Sequence, residues 1–280
     1  MSSLEHRVPG LQLRGGSQIP QLGFGVFQIP RAETELAVAR ALQAGYRHID
    51  TAAAYRNEGE VGLAVRSSSL SRGDVFITTK CWNDDQGYDE ARRALHGSLS
   101  RLEMDHVDLY LIHWPVPAHD RYVETWRAFI EMRDEGLIRS IGVSNFKQPH
   151  LERLIRETGE APAINQVELH PYLQQHGLRR EHEDLGILTE AWSPLAQGLV
   201  LDDPVITAIA AAHARTPGQV VIRSHLQAGN VVIPKSVTPA RITENFDVFD
   251  FELTDREMQD IGGLDAGRRI GPDPDTFIRP

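Results

Sequence analysis

Seven side chains suited to chemistry, Asp50, Lys80, His113, Asn145, Gln166, Trp192 and Lys235, each stand where an apolar, β-branched-rich run of the sequence breaks off. Together they offer a carboxylate, ammonium groups, an imidazole, amides and an indole. Such groups suit proton transfer and the stabilisation of developing charge, and a lysine so placed also suits Schiff-base chemistry. Parallel strands buried on both faces read as continuous apolar runs. In an eight-stranded (β/α) barrel the working groups stand where those runs end. The series therefore reads as one rim.

The elements that must carry this rim follow from the same pattern. Residues 8–20 (VPGLQLRGGSQIP) alternate apolar and polar around Gly15-Gly16, which predicts a small hairpin closing the bottom of the barrel. Eight strands are expected at Leu22 to Gly25, Tyr46 to Ile49, Val75 to Thr79, Leu109 to Ile112, Ser140 to Val143, Ile164 to Val167, Ile187 to Ala191 and Val231 to Ile233. Helix-period segments such as TELAVARALQAG, DEARRALHGSLSRL and YVETWRAFIEMRDEG separate them, the first and last ending on glycine. The longer gap before the last strand holds two further helices, Pro204 to Ala214 and Pro217 to Gln227, each with proline near its start. Two more helices follow the eighth strand, and the tail GPDPDTFIRP is a coil able to lie over the mouth. The fold class is thus α/β, a (β/α)8 TIM barrel with an N-terminal β-hairpin, with residues 1–280 forming one domain.

Composition narrows the function. With 41% hydrophobic and 24% charged residues the chain is ordinary globular material. A formal charge of -10 without a Lys/Arg stripe speaks against nucleic acid and anionic membrane as partners. The opening MSSLEHRVPG has no apolar core of a signal peptide, and no run reaches the roughly 20 residues of a membrane span, so a cytoplasmic protein is expected. The lone Cys81 excludes an internal disulfide and a cysteine-based zinc cage.

The motifs GYRHIDTAAAYRNE, FITTKCW, DLYLIHWP, SIGVSNF and IPKS resemble the aldo-keto reductase family over nearly the whole chain, with 2,5-diketo-D-gluconate reductase-like members nearest in appearance. The resemblance implies carbonyl reduction, which needs a hydride donor, a group polarising the C=O and a proton for the forming alkoxide. It makes Tyr55 the general acid. A phenol titrates near 10, so a fixed cation is needed to favour phenolate, and Lys80 fits that need. Asp50 would pair with Lys80 and hold it charged, while His113 would donate a hydrogen bond to the carbonyl oxygen.

No G-x-G-x-x-G opens a helix after a strand, so a nicotinamide must bind otherwise than on a Rossmann fingerprint. By resemblance, Trp192 would stack on the nicotinamide ring while Ser144, Asn145 and Gln166 bond its carboxamide. Many relatives carry tyrosine where Trp192 stands. Ser193, Leu195 and Gln197 to Leu199, including Gly198, would follow the pyrophosphate. Lys235, Ser236 and Arg241 would hold a 2′-phosphate, favouring NADPH, with Glu244 and Asn245 near the adenine. Some relatives have a basic residue where Thr238 stands, which bears on the strength of that preference.

Phe27, Trp82 and Trp114 lie just beyond strand ends and are expected to wall the substrate pocket. By resemblance Ala53 and Ala54 would leave room beside Tyr55, and Asn83, Asp84 and Asp85 read as wet loop residues. The stretch from Gly142 to Phe146 imitates a nucleophile elbow but ends in phenylalanine, and no acid and base accompany it. His106, Asp108 and His113 do not make a metal set, since strand alternation aims Asp108 and His113 to opposite faces, and no metal is expected. His170 reads as a turn residue, His182 as a solvated helix face, and Cys81 as a packing residue facing away from the mouth. The expected protein is a monomeric NADPH-dependent reductase of small aldehydes and ketones, with keto-sugars, glyoxals and dicarbonyls as plausible substrates. The alternatives are a Schiff-base aldolase using Lys80 and a cofactor-binding, redox-sensing subunit with little turnover.

Overall fold

The computed structural model describes residues 8–278, so the opening heptapeptide and the last two residues of the tail lie outside it. Strands β1 (Gly10–Gln12) and β2 (Gln18–Pro20) form the expected antiparallel hairpin. Its Leu13 and Ile19 pack with Phe76, Leu109, Leu111, Ile164 and Val231. The hairpin therefore seals the end of the barrel opposite the rim.

The eight barrel strands are β3 (Phe24–Gly25), β4 (His48–Asp50), β5 (Phe76–Cys81), β6 (Val107–Ile112), β7 (Ile138–Ser144), β8 (Ile164–Glu168), β9 (Leu188–Trp192) and β10 (Val231–Val232), neighbours in chain order and all parallel. A parallel bridge between Leu22 and Val232, with Gly23 N–H donating to Val232 O at 2.9 Å and Gly25 N–H to Pro234 O at 3.2 Å, joins the first to the last. The sheet is closed and has no free edge. All eight strands stand where the apolar runs predict, with shifted boundaries. Tyr46, expected within the second strand, instead wedges its ring between Phe24 and Phe246 before the strand begins.

Ten helices complete the described residues: α1 (Arg31–Ala44), α2 (Glu58–Arg66), α3 (Tyr88–Leu102), α4 (Tyr122–Asp134), α5 (Gln148–Thr158), α6 (His176–Leu185), α7 (Pro204–Ala212), α8 (Pro217–Gln227), α9 (Pro239–Phe246) and α10 (Asp255–Gly262). Both proline-led helices before β10 exist. Asp203 caps α7 by accepting from Val205 N–H, and Thr216 with Gln219 forms a capping box on α8. Strand β5 shows how the barrel sorts side chains, since all six of its residues are buried. Thr79 faces the helices and donates to Glu58 Oε1, whereas Lys80 faces the barrel axis. Cys81 turns away from the axis again, as its position after Lys80 predicts.

His182 is not a solvated residue. It is buried on the inner side of α6, with Nε2 at 2.9 Å from Asn165 Nδ2 and Nδ1 at 2.9 Å from Thr189 Oγ1. Two polar strand residues facing outward require a polar partner from the covering helix, and this histidine supplies it. His170 occupies a turn yet is buried, with Nε2 at 3.0 Å from Glu168 Oε1. Asn83 is likewise buried rather than wet, while Asp84 stays exposed.

Candidate active site

After β4 the chain runs through Thr51 and Ala52 into a single 3-10 turn, Ala53–Tyr55, and leaves it through Arg56 at a left-handed φ of 58°. The small alanines let this turn fold tightly back over the strand ends. Tyr55 is thereby set with its ring centroid 5.0 Å from Lys80 Nζ. Lys80 Nζ donates to Asp50 Oδ1 at 2.6 Å, to Thr51 O at 2.9 Å and to the Tyr55 hydroxyl at 3.4 Å. His113 follows β6, its ring 5.7 Å from that of Tyr55 and 5.0 Å from that of Trp82. The four residues singled out from the sequence therefore converge.

Burial pulls the Lys80 ammonium toward losing its proton, but Asp50, Tyr55 and Glu190 more than offset this and the net shift is upward. Lys80 is thus held charged at zero exposure. The Tyr55 phenol behaves differently from the expectation of a lowered pKa. Burial pushes it up to about 12, and the opposing pull of Lys80 is weakened by the carboxyl groups of Asp50 and Glu190 nearby. Tyr55 therefore carries its proton at neutral pH. Burial, with Lys80 second, holds His113 well below the usual imidazole range, so the ring is neutral. Its Nδ1 is buried without a partner among the described residues. A proton there would be an unmet buried donor, so the neutral ring is best served by a proton on Nε2.

These groups open on a cavity of about 1830 Å³ lined by Asp50, Tyr55 and His113. Lys80 lies beneath its floor. Phe27, Trp82 and Trp114 line one wall of it, and Phe277 of the tail joins them with its ring 4.3 Å from Trp114 and 6.3 Å from Trp82. Ser144, Asn145, Gln166 and Trp192 line the adjoining part. Ser144 Oγ donates to Gln166 O, and Asn145, at a left-handed φ of 65°, accepts from the Trp192 indole N–H at 2.9 Å. Gln166 Nε2 is turned inward to Asp50 and Glu190. Its Oε1 is the atom left for a ligand.

Beyond Trp192 the cavity is lined by Ser193, Leu195, Gln197 and Gly198, but not by Leu199, whose side chain is exposed outside it. Ser193, Ala196 and Gln197 all take left-handed φ values, of 49°, 48° and 56°, a concentration of backbone strain in one loop. Lys235, Ser236, Arg241, Glu244 and Asn245 line the far end beside the N-terminus of α9. Neither Lys235 nor Arg241 has an ionic partner among the described residues, although many of this chain's other cations are paired. Two cations without ionic partners beside a helix N-terminus offer a setting suited to an anionic group. Glu244 Oε1 accepts from Thr216 Oγ1 at 2.8 Å.

Three parts of the site carry no recognisable signal in the sequence. Glu168, buried at the end of β8, accepts the backbone N–H groups of Ile270 at 2.6 Å and Gly271 at 2.9 Å. Gly271 is thereby held so close to Trp192 that a Cβ would come within 2.4 Å of the indole. Lys147 binds Asp273 and Asp275, fixing the tail across the mouth as its coil composition allows. Glu190 is the third, a buried acid in what reads as an ordinary strand end.

A model of the aldo/keto reductase family matches residues 21–266. An aldo-keto reductase of Mycolicibacterium smegmatis is 60% identical, the alignment covering 96% of this chain and 98% of the relative. The methylglyoxal reductase DkgA of Escherichia coli K12 is 55% identical over 95% of this chain and 97% of its own. Among solved structures, an aldo/keto reductase from Brucella melitensis superposes with a TM-score of 0.90 at 55% identity, covering 92% of this chain and 98% of that one. A variant of Gox0644 solved in complex with NADPH gives 0.93 at 48% identity, covering 97% and 99%. With a closed parallel barrel, a polar cluster at its mouth and a match that spans most of its length, the chain belongs to the aldo/keto reductase family of carbonyl-reducing oxidoreductases.

Proposed function

We propose that this protein reduces small aldehydes and ketones with NADPH, methylglyoxal among them, using Tyr55 as the proton donor. The observation that carries this reading is the hydrogen-bonded series Asp50, Lys80, Tyr55 at the floor of a cavity whose far end holds the unpaired Lys235 and Arg241. Those two cations, with Ser236, fit a 2′-phosphate. Trp192 offers a flat face, and Ser144, Asn145 and Gln166 Oε1 offer acceptors for a carboxamide. When bound, NADPH supplies the hydride.

The chain's residues do the rest. Trp82, Trp114, Phe27 and Phe277 exclude water and bury the apolar part of the carbonyl compound. His113, with its proton on Nε2, donates to the carbonyl oxygen and shares the negative charge that grows there. Tyr55 gives its proton to the same oxygen. The phenolate left behind is stabilised as its bond to the Lys80 ammonium becomes charge-assisted at both ends. Asp50 keeps that ammonium in place throughout. In the reverse direction the phenolate takes a proton from an alcohol. The walls and the DkgA relatives favour glyoxals and other compact dicarbonyls, and Asp85 on the cavity edge suits hydroxyl groups of keto-sugars.

The position of Lys80 gives no support to an aldolase. A Schiff base needs a neutral amine in reach of the substrate, whereas this one is charged, fully buried and below the floor. The reading is tested by following NADPH absorbance with methylglyoxal, small aldehydes and keto-sugars, in wild type and in Arg241→Ala. Steady turnover is expected, with the KM for NADPH raised about tenfold or more in the variant and that for NADH little changed. Tight NADPH binding without turnover across the panel would select a binding subunit instead.

A further inference from the structure

Glu190, on the axis-facing side of β9, is a completely buried carboxyl that takes no part in the steps above. Gln166 Nε2 donates to Asp50 Oδ2 at 2.8 Å and to Glu190 Oε2 at 3.0 Å, so both protons of one amide are given to two carboxyl groups. The groups facing Glu190 are His48 and Asp50 from β4, Thr78 and Lys80 from β5, Gln166 from β8, and Tyr55 beyond Lys80. Its register partner on β10 is the apolar Val231.

Lys80 is the single cation of this cluster, and it is committed to Asp50, Thr51 and Tyr55. His48 adds no second charge. Its Nε2 lies 3.0 Å from Thr78 Oγ1 and 3.8 Å from Glu190 Oε1, and burial, reinforced by Lys80, lowers its pKa to about 3. Two carboxylates facing one ammonium at zero exposure would leave an uncompensated buried charge, which is strongly unfavourable. A proton on Glu190 removes it. Consistently, burial and then Asp50 raise this carboxyl to about 8 against the opposing pull of Gln166 and Lys80.

We infer that Glu190 is a positioning residue for the reduction: it holds a proton at neutral pH, clamps Gln166 beside Asp50, and on ionising opposes proton loss from Tyr55 through the shared Lys80–Asp50 pair. The inference rests on Tyr55 being the proton donor. The clamp also fixes which end of the Gln166 amide faces the cavity. The sign is set by charge: an ionised Glu190 makes a neighbouring phenolate harder to form, and its removal makes phenolate easier to form.

The test compares the pH dependence of kcat for carbonyl reduction at saturating NADPH in wild type and Glu190→Gln, an isostere that still accepts from Gln166. The basic limb, where Tyr55 loses its proton, is expected to move to lower pH by about half a unit or more in the variant. A second readout needs no variant: infrared titration of the wild-type protein should show a protonated carboxyl that disappears with a midpoint near 8. Superimposable pH profiles, or no protonated carboxyl at neutral pH, would overturn the role of Glu190. Full turnover in Tyr55→Phe would strike the reading beneath it instead, so the two failures are distinguishable.

Discussion

Lys80 carries a positive charge with no access to water, and its neighbours are arranged to keep it there. The same low-dielectric interior acts in the opposite sense on imidazoles that lack an acid in bonding reach. Burial lowers His48 and His225 to about 3 and His182 to about 4, and holds His113 well below 6.5. Each is neutral in the folded protein and titrates near 6.5 in the unfolded chain. The unfolded state therefore takes up protons first as the pH falls. Their contribution to stability is complete above about 6.5, declines as the pH drops below it, and is exhausted only below the folded values. Denaturant unfolding between about pH 7 and pH 4 should show stability falling, with a slope approaching about 1.4 kcal/mol per pH unit for each such histidine. His182→Gln should flatten that slope by roughly one proton, and a profile independent of pH would contradict the neutral assignment.

At the scale of elements, α2 and the loop before it decide where Tyr55 stands. Asn57 accepts from Thr51 Oγ1 at 2.9 Å and donates to Val26 O at 3.1 Å, while Glu58 accepts from Thr79 beside Lys80 and from Arg101 on α3. These bonds tie the Tyr55 loop, the lysine strand and α3 together. They require α2 to lie unusually close to the end of α3, and Gly62 makes this possible, since a Cβ there would fall 2.1 Å from Leu102 O. Gly62→Ala cannot be absorbed by a side-chain rotation because the obstacle is backbone. It should destabilise the protein by about 1–3 kcal/mol, read as a lowered midpoint in thermal unfolding. An unchanged midpoint would show that the helices can part without loss.

The strands were legible because both faces of a closed parallel barrel are buried, which writes each one as an apolar run ended by a polar group. Tyr55, Lys80, Asp50 and His113 were legible through their motifs together with those strand ends. Glu168 and Glu190 were not, because a single acid in a strand looks the same whether it meets solvent, a returning tail or a shared amide. His182 was misread for a related reason: its charged neighbours in REHED do face water, and only the two outward polar residues of β8 and β9 explain why it does not. Long-range partners such as Ile270 for Glu168 lie far away in sequence and leave no local periodicity.

Across the whole molecule, the cavity and its polar cluster lie at one end of the barrel. The hairpin closes the bottom, and the mouth is narrowed by the tail that Glu168 and Lys147 anchor. A net charge of -10 repels anions on average, so under the proposed reading an anionic coenzyme would depend on the local field of Lys235 and Arg241 at one end of the cavity. Lys235 and Arg241 line one end of the cavity and Tyr55 stands over Lys80 at its floor, so the proposed roles in binding and in proton transfer can be separated experimentally. The direct measurement is Tyr55→Phe, assayed for NADPH binding by fluorescence quenching and for kcat with a small dicarbonyl. The expected result is a Kd for NADPH within about twofold of wild type with kcat lowered by about 10²–10⁴-fold; a variant that keeps wild-type kcat would contradict Tyr55 as the source of the proton.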